Sequence, residues 1–145
     1  MIDVYFAISI SGKRDNLNVG KKIVKVLKKI NFNVLSEHII RDDAWEYDSQ
    51  FSMQHVFERD MRWIDRSSCL IAEVSSPSLG VGYEIAYALN LKKPVLCIIK
   101  KEAENRLSKI IRGNTSSYIR VVSYKNIKEI ETIIRLFIKE FSLGE

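Results

Sequence analysis

Five short apolar runs, most of them followed by a stretch of helical periodicity, limit what this chain can fold into more than any other feature. The runs are Ile2 to Ser9, Asn33 to Ser36, Ser68 to Val74, Val95 to Ile99 and Tyr118 to Val122. They predict strands, several with both faces apolar. The first helical stretch, Asn16 to Ile30, carries Val19, Ile23, Val26, Leu27 and Ile30 on one stripe. Further helices are predicted over Phe51–Asp65, Gly82–Leu91 (stopped before Pro94), Arg106–Ile111 (closed by Gly113) and Ile127–Phe141, and Glu37–Ser49 reads as polar and irregular. Strands without alternation must be covered on both faces, which means a parallel sheet between two helix layers. Right-handed crossovers then give a flavodoxin-like (Rossmann-like) three-layer α/β sandwich, with a five-stranded parallel sheet in the order 2-1-3-4-5. In that topology ligands bind beyond the carboxyl ends of the first and third strands, where the loops Ser9–Asp15 and Ser75–Gly82 lie.

The rest of the composition narrows the class. The 145 residues suit one domain, and 46% hydrophobic with 28% charged residues suffices for a core without staples. Cys69 and Cys97 sit inside apolar runs, as buried thiols of a reducing compartment do. No apolar stretch reaches membrane-spanning length, and the N-terminal run lacks the marks of a signal peptide, so a cytoplasmic protein is expected. The net charge of +5 comes largely from Lys21, Lys22, Lys25, Lys28 and Lys29 on the first helix. No aromatic residue interleaves them, so a solvated helix face is expected, not a nucleic-acid polymer surface. His38 and His55 have no partners at ligand spacing, so neither a metal nor a cofactor is expected.

Three groups of residues carry candidate chemistry. In Ser75–Glu84, glycines and a helix start favour an anion, although the spacing matches neither the P-loop nor the dinucleotide fingerprint; a tight turn explains it equally. Glu84 falls in the first turn of the predicted helix, where the dipole would favour a carboxylate: either a nucleophile or an ordinary dipole partner. Asp60 lies within the apolar stripe Met53, Val56, Phe57, Met61 and Ile64. A carboxyl there must be protonated or paired, so it is either a general acid or the structural partner of Arg59, Arg62 or Arg66. The first loop, Ser9-Ile10-Ser11-Gly12-Lys13-Arg14, offers hydroxyls, backbone N–H groups and basic side chains for a phosphate. Trp45 and Tyr47 offer an aromatic wall or a loop packed on itself.

The runs Phe57-Glu58-Arg59-Asp60-Met61-Arg62-Trp63-Ile64-Asp65 and Ala72-Glu73-Val74-Ser75-Ser76-Pro77-Ser78-Leu79-Gly80-Val81-Gly82-Tyr83-Glu84 resemble the nucleoside 2-deoxyribosyltransferase superfamily, most closely its 2'-deoxynucleoside 5'-phosphate N-hydrolases. The likeness runs from Tyr5 to about Gly113. It implies a homodimer that hydrolyses deoxynucleoside monophosphates to a base and 2-deoxyribose 5-phosphate. Glu84 would be the nucleophile, Asp60 the acid/base and Tyr5 a tyrosine near the sugar. Ser9, Ile10, Gly12, Ser78 and Gly80 would surround the 5'-phosphate, and Ser108 would reach the phosphate of the neighbouring subunit. The first loop departs from the hydrolase pattern: Ile8 and Lys13 replace glycines, and Ser11 replaces an arginine. That weakens the phosphate clamp unless Lys13 or Arg14 compensates. A base-exchanging transferase shares the same carboxyl pair, and a non-catalytic nucleotide-binding module shares the fold.

Overall fold

The structure is a computed structural model and describes residues 1–10 and 14–144. Its strands are β1 (Ile2–Ile8), β2 (Phe32–Val34), β3 (Cys69–Glu73), β4 (Val95–Lys100) and β5 (Ile119–Tyr124). All pair in parallel in the order β2-β1-β3-β4-β5, the expected topology. The helices are α1 (Leu17–Lys29), α2 (Ala44–Ser49), α3 (Met53–Arg66), α4 (Leu79–Asn90), α5 (Lys109–Arg112) and α6 (Ile130–Glu140). None among the described residues is long and apolar enough to cross a membrane.

Successive β1 side chains point to opposite sides of the sheet. Val4, Phe6 and Ile8 join α1 and α6 in one core, through Ile23, Leu27, Ile130 and Ile134. Tyr5 and Ala7 join the other, with Ile64 of α3 and Val81 and Ile85 of α4. This alternation aims Tyr5 at the layer that holds both candidate carboxyls. Both cysteines are fully buried, and burial pushes each thiol up to about 12.

The helix expected over Arg106–Ile111 is a 3-10 turn (Lys101–Arg106) followed by α5, β2 starts one residue early, and three further departures from the sequence reading bear on the site. Glu37–Ser49 is ordered: a 3-10 turn (Glu37–Ile40) leads into α2. Arg14 pins this segment by donating to the Ile39 and Arg41 carbonyl oxygens, each at 2.5 Å, and His38 packs on Tyr47 with ring centroids 5.4 Å apart. Residue composition near a turn does not reveal such remote anchors. Second, α4 begins at Leu79 and not at Gly82, because the Ser78 hydroxyl accepts from Val81 N and caps it. Third, the α3 stripe is only partly a core stripe. Ile64 is fully buried, but Met53 is 93% exposed and Phe57 52%. The lysines of α1 form the solvated face expected of them, with Lys21–Asp42, Lys28–Glu37 and Lys29–Glu131 pairs.

Candidate active site

Register places the site. Ile8 of β1 pairs with Glu73 of β3, so the loops beginning at Ser9 and Val74 leave the sheet side by side. Buried contacts brace them: Asn16 donates to the Ser76 hydroxyl at 3.0 Å. The Glu73 carboxylate, 1% exposed, accepts from Ser75 N at 2.5 Å and from the Tyr124 hydroxyl at 3.3 Å. The Ser75 hydroxyl accepts from Lys100 N at 2.8 Å. Glu73 thus fixes the start of the Ser75–Ser78 loop, a role its place in an apolar strand run does not announce.

Asp60, Glu84 and Tyr5 meet on the α3/α4 side of this crevice. Tyr5 is 1% exposed, and its hydroxyl lies near enough to the Glu84 carboxyl for each to shift the other's titration. The Glu84 residue is half-buried, but its Oε2 is shielded from solvent and has no partner among the described residues. Burial first, and then the charge of Asp60, raise the Glu84 carboxyl to about 8, with the Tyr5 hydroxyl opposing. Burial also raises Asp60, while the bonded Arg59 guanidinium pulls it back. Tyr5 is raised well above the usual phenol range by burial and by both carboxylates. Tyr5 and Glu84 thus each feel the Asp60 charge as well as one another. The expectation that the helix dipole would hold Glu84 ionised does not survive. With α4 starting at Leu79, Glu84 lies in its second turn, beyond the reach of the terminal N–H groups, and desolvation dominates.

Asp60 is ion-paired to Arg59 at 2.9 Å, the structural partner among the readings of this residue, and its charge also acts on the Glu84 carboxyl. Arg59 also bonds Asp48 at 2.9 Å and lies 4.9 Å above the Trp63 ring. Sequence reasoning had Arg59 as one partner among three and did not foresee its burial, at 7% exposed.

The proposed phosphate residues separate. Ser9 is buried at the end of β1, and Ile10 packs against the α1/α6 core. Gly12 lies outside the described residues, as do Ser11 and Lys13. Arg14 is committed to the Ile39 and Arg41 carbonyls and is not a free counter-charge. Ser78 and Ser108 border one cavity of about 570 Å³, with Leu79, Gly82 and Ile110. Ser108 is exposed at the start of α5, and within its own chain it faces the same cavity as Ser78. Gly80 and Gly82 are not turn glycines. Both sit inside α4 without positive φ, and a Cβ on Gly82 would meet nothing within 4 Å. The missing side chain of Gly82 leaves open space at the Ser78–Ser108 cavity, whereas a Cβ on Gly80 would touch the Ser78 hydroxyl at 3.9 Å. Trp45 is 60% exposed and takes no part in the Tyr47–His38–Trp63 aromatic group.

Comparison with known proteins is consistent with this arrangement. The family model described as nucleoside 2-deoxyribosyltransferase matches residues 4–127. A Thermofilum pendens protein is 39% identical over 126 residues, 87% of each chain. The 5-hydroxymethyl-dUMP N-hydrolase of Esox lucius is 36% identical over 143 residues, 96% of this chain and 97% of that one. Among solved structures, the Clostridium botulinum CMP N-glycosidase BcmB superposes with a TM-score of 0.68 at 19% identity, covering 92% of this chain and 98% of that one; at this identity the likeness concerns the fold.

Proposed function

This chain belongs to the nucleoside 2-deoxyribosyltransferase family, and from that membership we propose that it hydrolyses the N-glycosidic bond of (2'-deoxy)nucleoside 5'-monophosphates. The observation that carries the reading is the meeting of Asp60 and Glu84, from different helices, with Tyr5 of β1 on the α3/α4 face of the sheet. The names of relatives such as the Esox lucius hydrolase support a nucleotide as the substrate.

In the scheme we propose, the Glu84 carboxylate attacks the anomeric carbon as Asp60 gives its proton to the departing base. The product of that step is a glycosyl ester on Glu84 and a free base. Asp60, now a carboxylate, takes a proton from water, whose oxygen displaces Glu84 and releases the sugar phosphate. The nearby Tyr5 hydroxyl favours the ionised form of the nucleophile. Ser9, Ile10, Gly12, Ser78 and Gly80 are the proposed surroundings of the phosphate. The chemistry asks for an acid, a nucleophile and a positioned sugar.

The exposed apolar side chains support a homodimer. Met53 and Phe57 of α3 and Leu79 and Tyr83 of α4 lie one turn apart on each helix, and the Phe57 and Tyr83 rings are 6.4 Å apart. Ile110, 81% exposed, continues the face beside Ser108. A two-fold contact there would bring Ser108 to the partner's phosphate.

Chromatography of incubations with a panel of nucleoside monophosphates tests the reading, alongside deoxyinosine with adenine added. Release of base and sugar phosphate is expected. Base exchange on unphosphorylated nucleosides, with no monophosphate hydrolysis, would assign the transferase activity instead. Glu84→Ala and Asp60→Asn should each lower kcat by about a hundredfold or more. Binding without turnover in the parent would leave a nucleotide-binding module.

A further inference from the structure

Asp60 is held by a buried cation, and Glu84 is not. Arg59 is buried at 7% exposure, although Phe57, Glu58 and Arg62 beside it on α3 are exposed. Its Nε donates to Asp60 Oδ1 and its Nη1 to Asp48 Oδ1, both at 2.9 Å. Its plane lies over Trp63 at 4.9 Å, and its Nη2 is 3.3 Å from His38 Nε2. Three elements thus grip one guanidinium: α2 through Asp48, α3 through Trp63, and the Glu37–Ile40 turn through His38. A planar fork with several donors can bond two carboxylates at once in fixed geometry; a lysine cannot.

The two carboxyls of the site therefore stand in unlike surroundings. Facing Asp60 are Arg59 of its own helix, Glu84 of α4, Tyr5 of β1, His38 of the 3-10 turn and Asp48 of α2. His38 is half-buried, and desolvation and then the Arg59 charge push it toward its neutral form, so Arg59 is the cation among these groups. Glu84 has the Tyr5 hydroxyl and a buried Oε2 without a partner among the described residues. Where one proton serves two adjacent carboxyls, it rests on the one without a counter-charge.

Resting on the function proposed above, we propose that Arg59, anchored by Asp48, is the positioning residue of the acid–base pair: it orients Asp60 and keeps the resting pair's proton on Glu84. Catalysis then begins with a transfer inside the pair. The proton leaves the Glu84 carboxyl and arrives on Asp60, with no change in net charge. A base nitrogen that accepts a hydrogen bond from protonated Asp60 favours this state. So does positive charge developing on the sugar beside ionised Glu84.

One test needs no substrate, so it stands apart from the success of the functional reading. Carboxyl ¹³C shifts of the ligand-free protein are followed against pH in the parent, Arg59→Met, Arg59→Lys and Asp48→Asn. In the parent, Asp60 titrates below Glu84. In Arg59→Met the Asp60 midpoint rises by about one unit or more, and Arg59→Lys reverses most of that rise. An Asp60 midpoint above that of Glu84 in the parent, or unmoved in Arg59→Met, overturns the proposal. With a turned-over substrate, Arg59→Met shifts the kcat/KM profile to higher pH and lowers kcat about tenfold or more, with KM nearly unchanged. Arg59→Lys recovers the pH position but only part of kcat, since an ammonium does not fork between Asp48 and Asp60. Should Arg59→Met not fold, Asp48→Asn, which frees one arm of the clamp, must still lower kcat. A parent-like kcat and pH profile in a folded Asp48→Asn overturns the proposal.

Discussion

Glu84 is costly to the fold in the state that its proposed chemistry requires. Its folded pKa is raised to about 8 from an ordinary 4.5, so the folded protein binds this proton more tightly than the unfolded chain does. The associated stability is fully present below about pH 4.5 and is lost as pH rises through about 8. Glu84→Gln removes the penalty. It should raise stability by about 1–3 kcal/mol at pH 9 and by little at pH 4, as measured by urea unfolding at both pH values. The same variant should lack hydrolase activity, an instance of stability given up for function. At the residue scale the sequence pattern located Glu84 and Asp60 but misjudged the first one's charge. The dipole argument depends on helix position, whereas the shift is set by desolvation and by a neighbour 24 positions away.

At the scale of elements, α4 carries both the proposed anion-binding edge and the proposed nucleophile. Ser78 caps it, and the glycines that suggest a turn in the sequence are helical. Gly82 sits where a side chain would meet only open space beside the 570 Å³ cavity. Glycine inside a helix costs about 0.5–1 kcal/mol relative to alanine. Gly82→Ala should therefore raise the urea midpoint, and it should raise KM for a nucleoside monophosphate if the vacant space receives the substrate. An unchanged KM would remove Gly82 from the site. The Glu37–Ser49 segment shows the converse. Its polar composition suggested irregular chain, yet Arg14, His38 and Asp48 tie it to the site.

For the whole molecule, the apolar face of Met53, Phe57, Leu79, Tyr83 and Ile110 is the feature that a solitary domain leaves unexplained. If two copies cover it, light scattering should report twice the monomer mass. Leu79→Glu or Ile110→Asp should then yield folded monomers with reduced turnover, because Ser108 would lose its partner's site. A parent that is monomeric at high concentration would place Ser108 in its own chain's cavity alone.

Apolar runs with both faces hydrophobic and helical stripes between them were enough to determine the parallel sheet, its strand order and the crevice between β1 and β3. Those features follow from periodicity and chain handedness, which are local properties. The motif through Ser78 and Glu84 and the run around Asp60 likewise marked the residues of the candidate site. Tertiary structure alone decided which carboxyl has a buried cation, where α4 begins, and that Arg14 bonds carbonyls in place of a ligand. The burial of Arg59 and the bonds of Arg14 depend on desolvation and on partners far along the chain, and the start of α4 on a local Ser78 cap that the neighbouring glycines obscure.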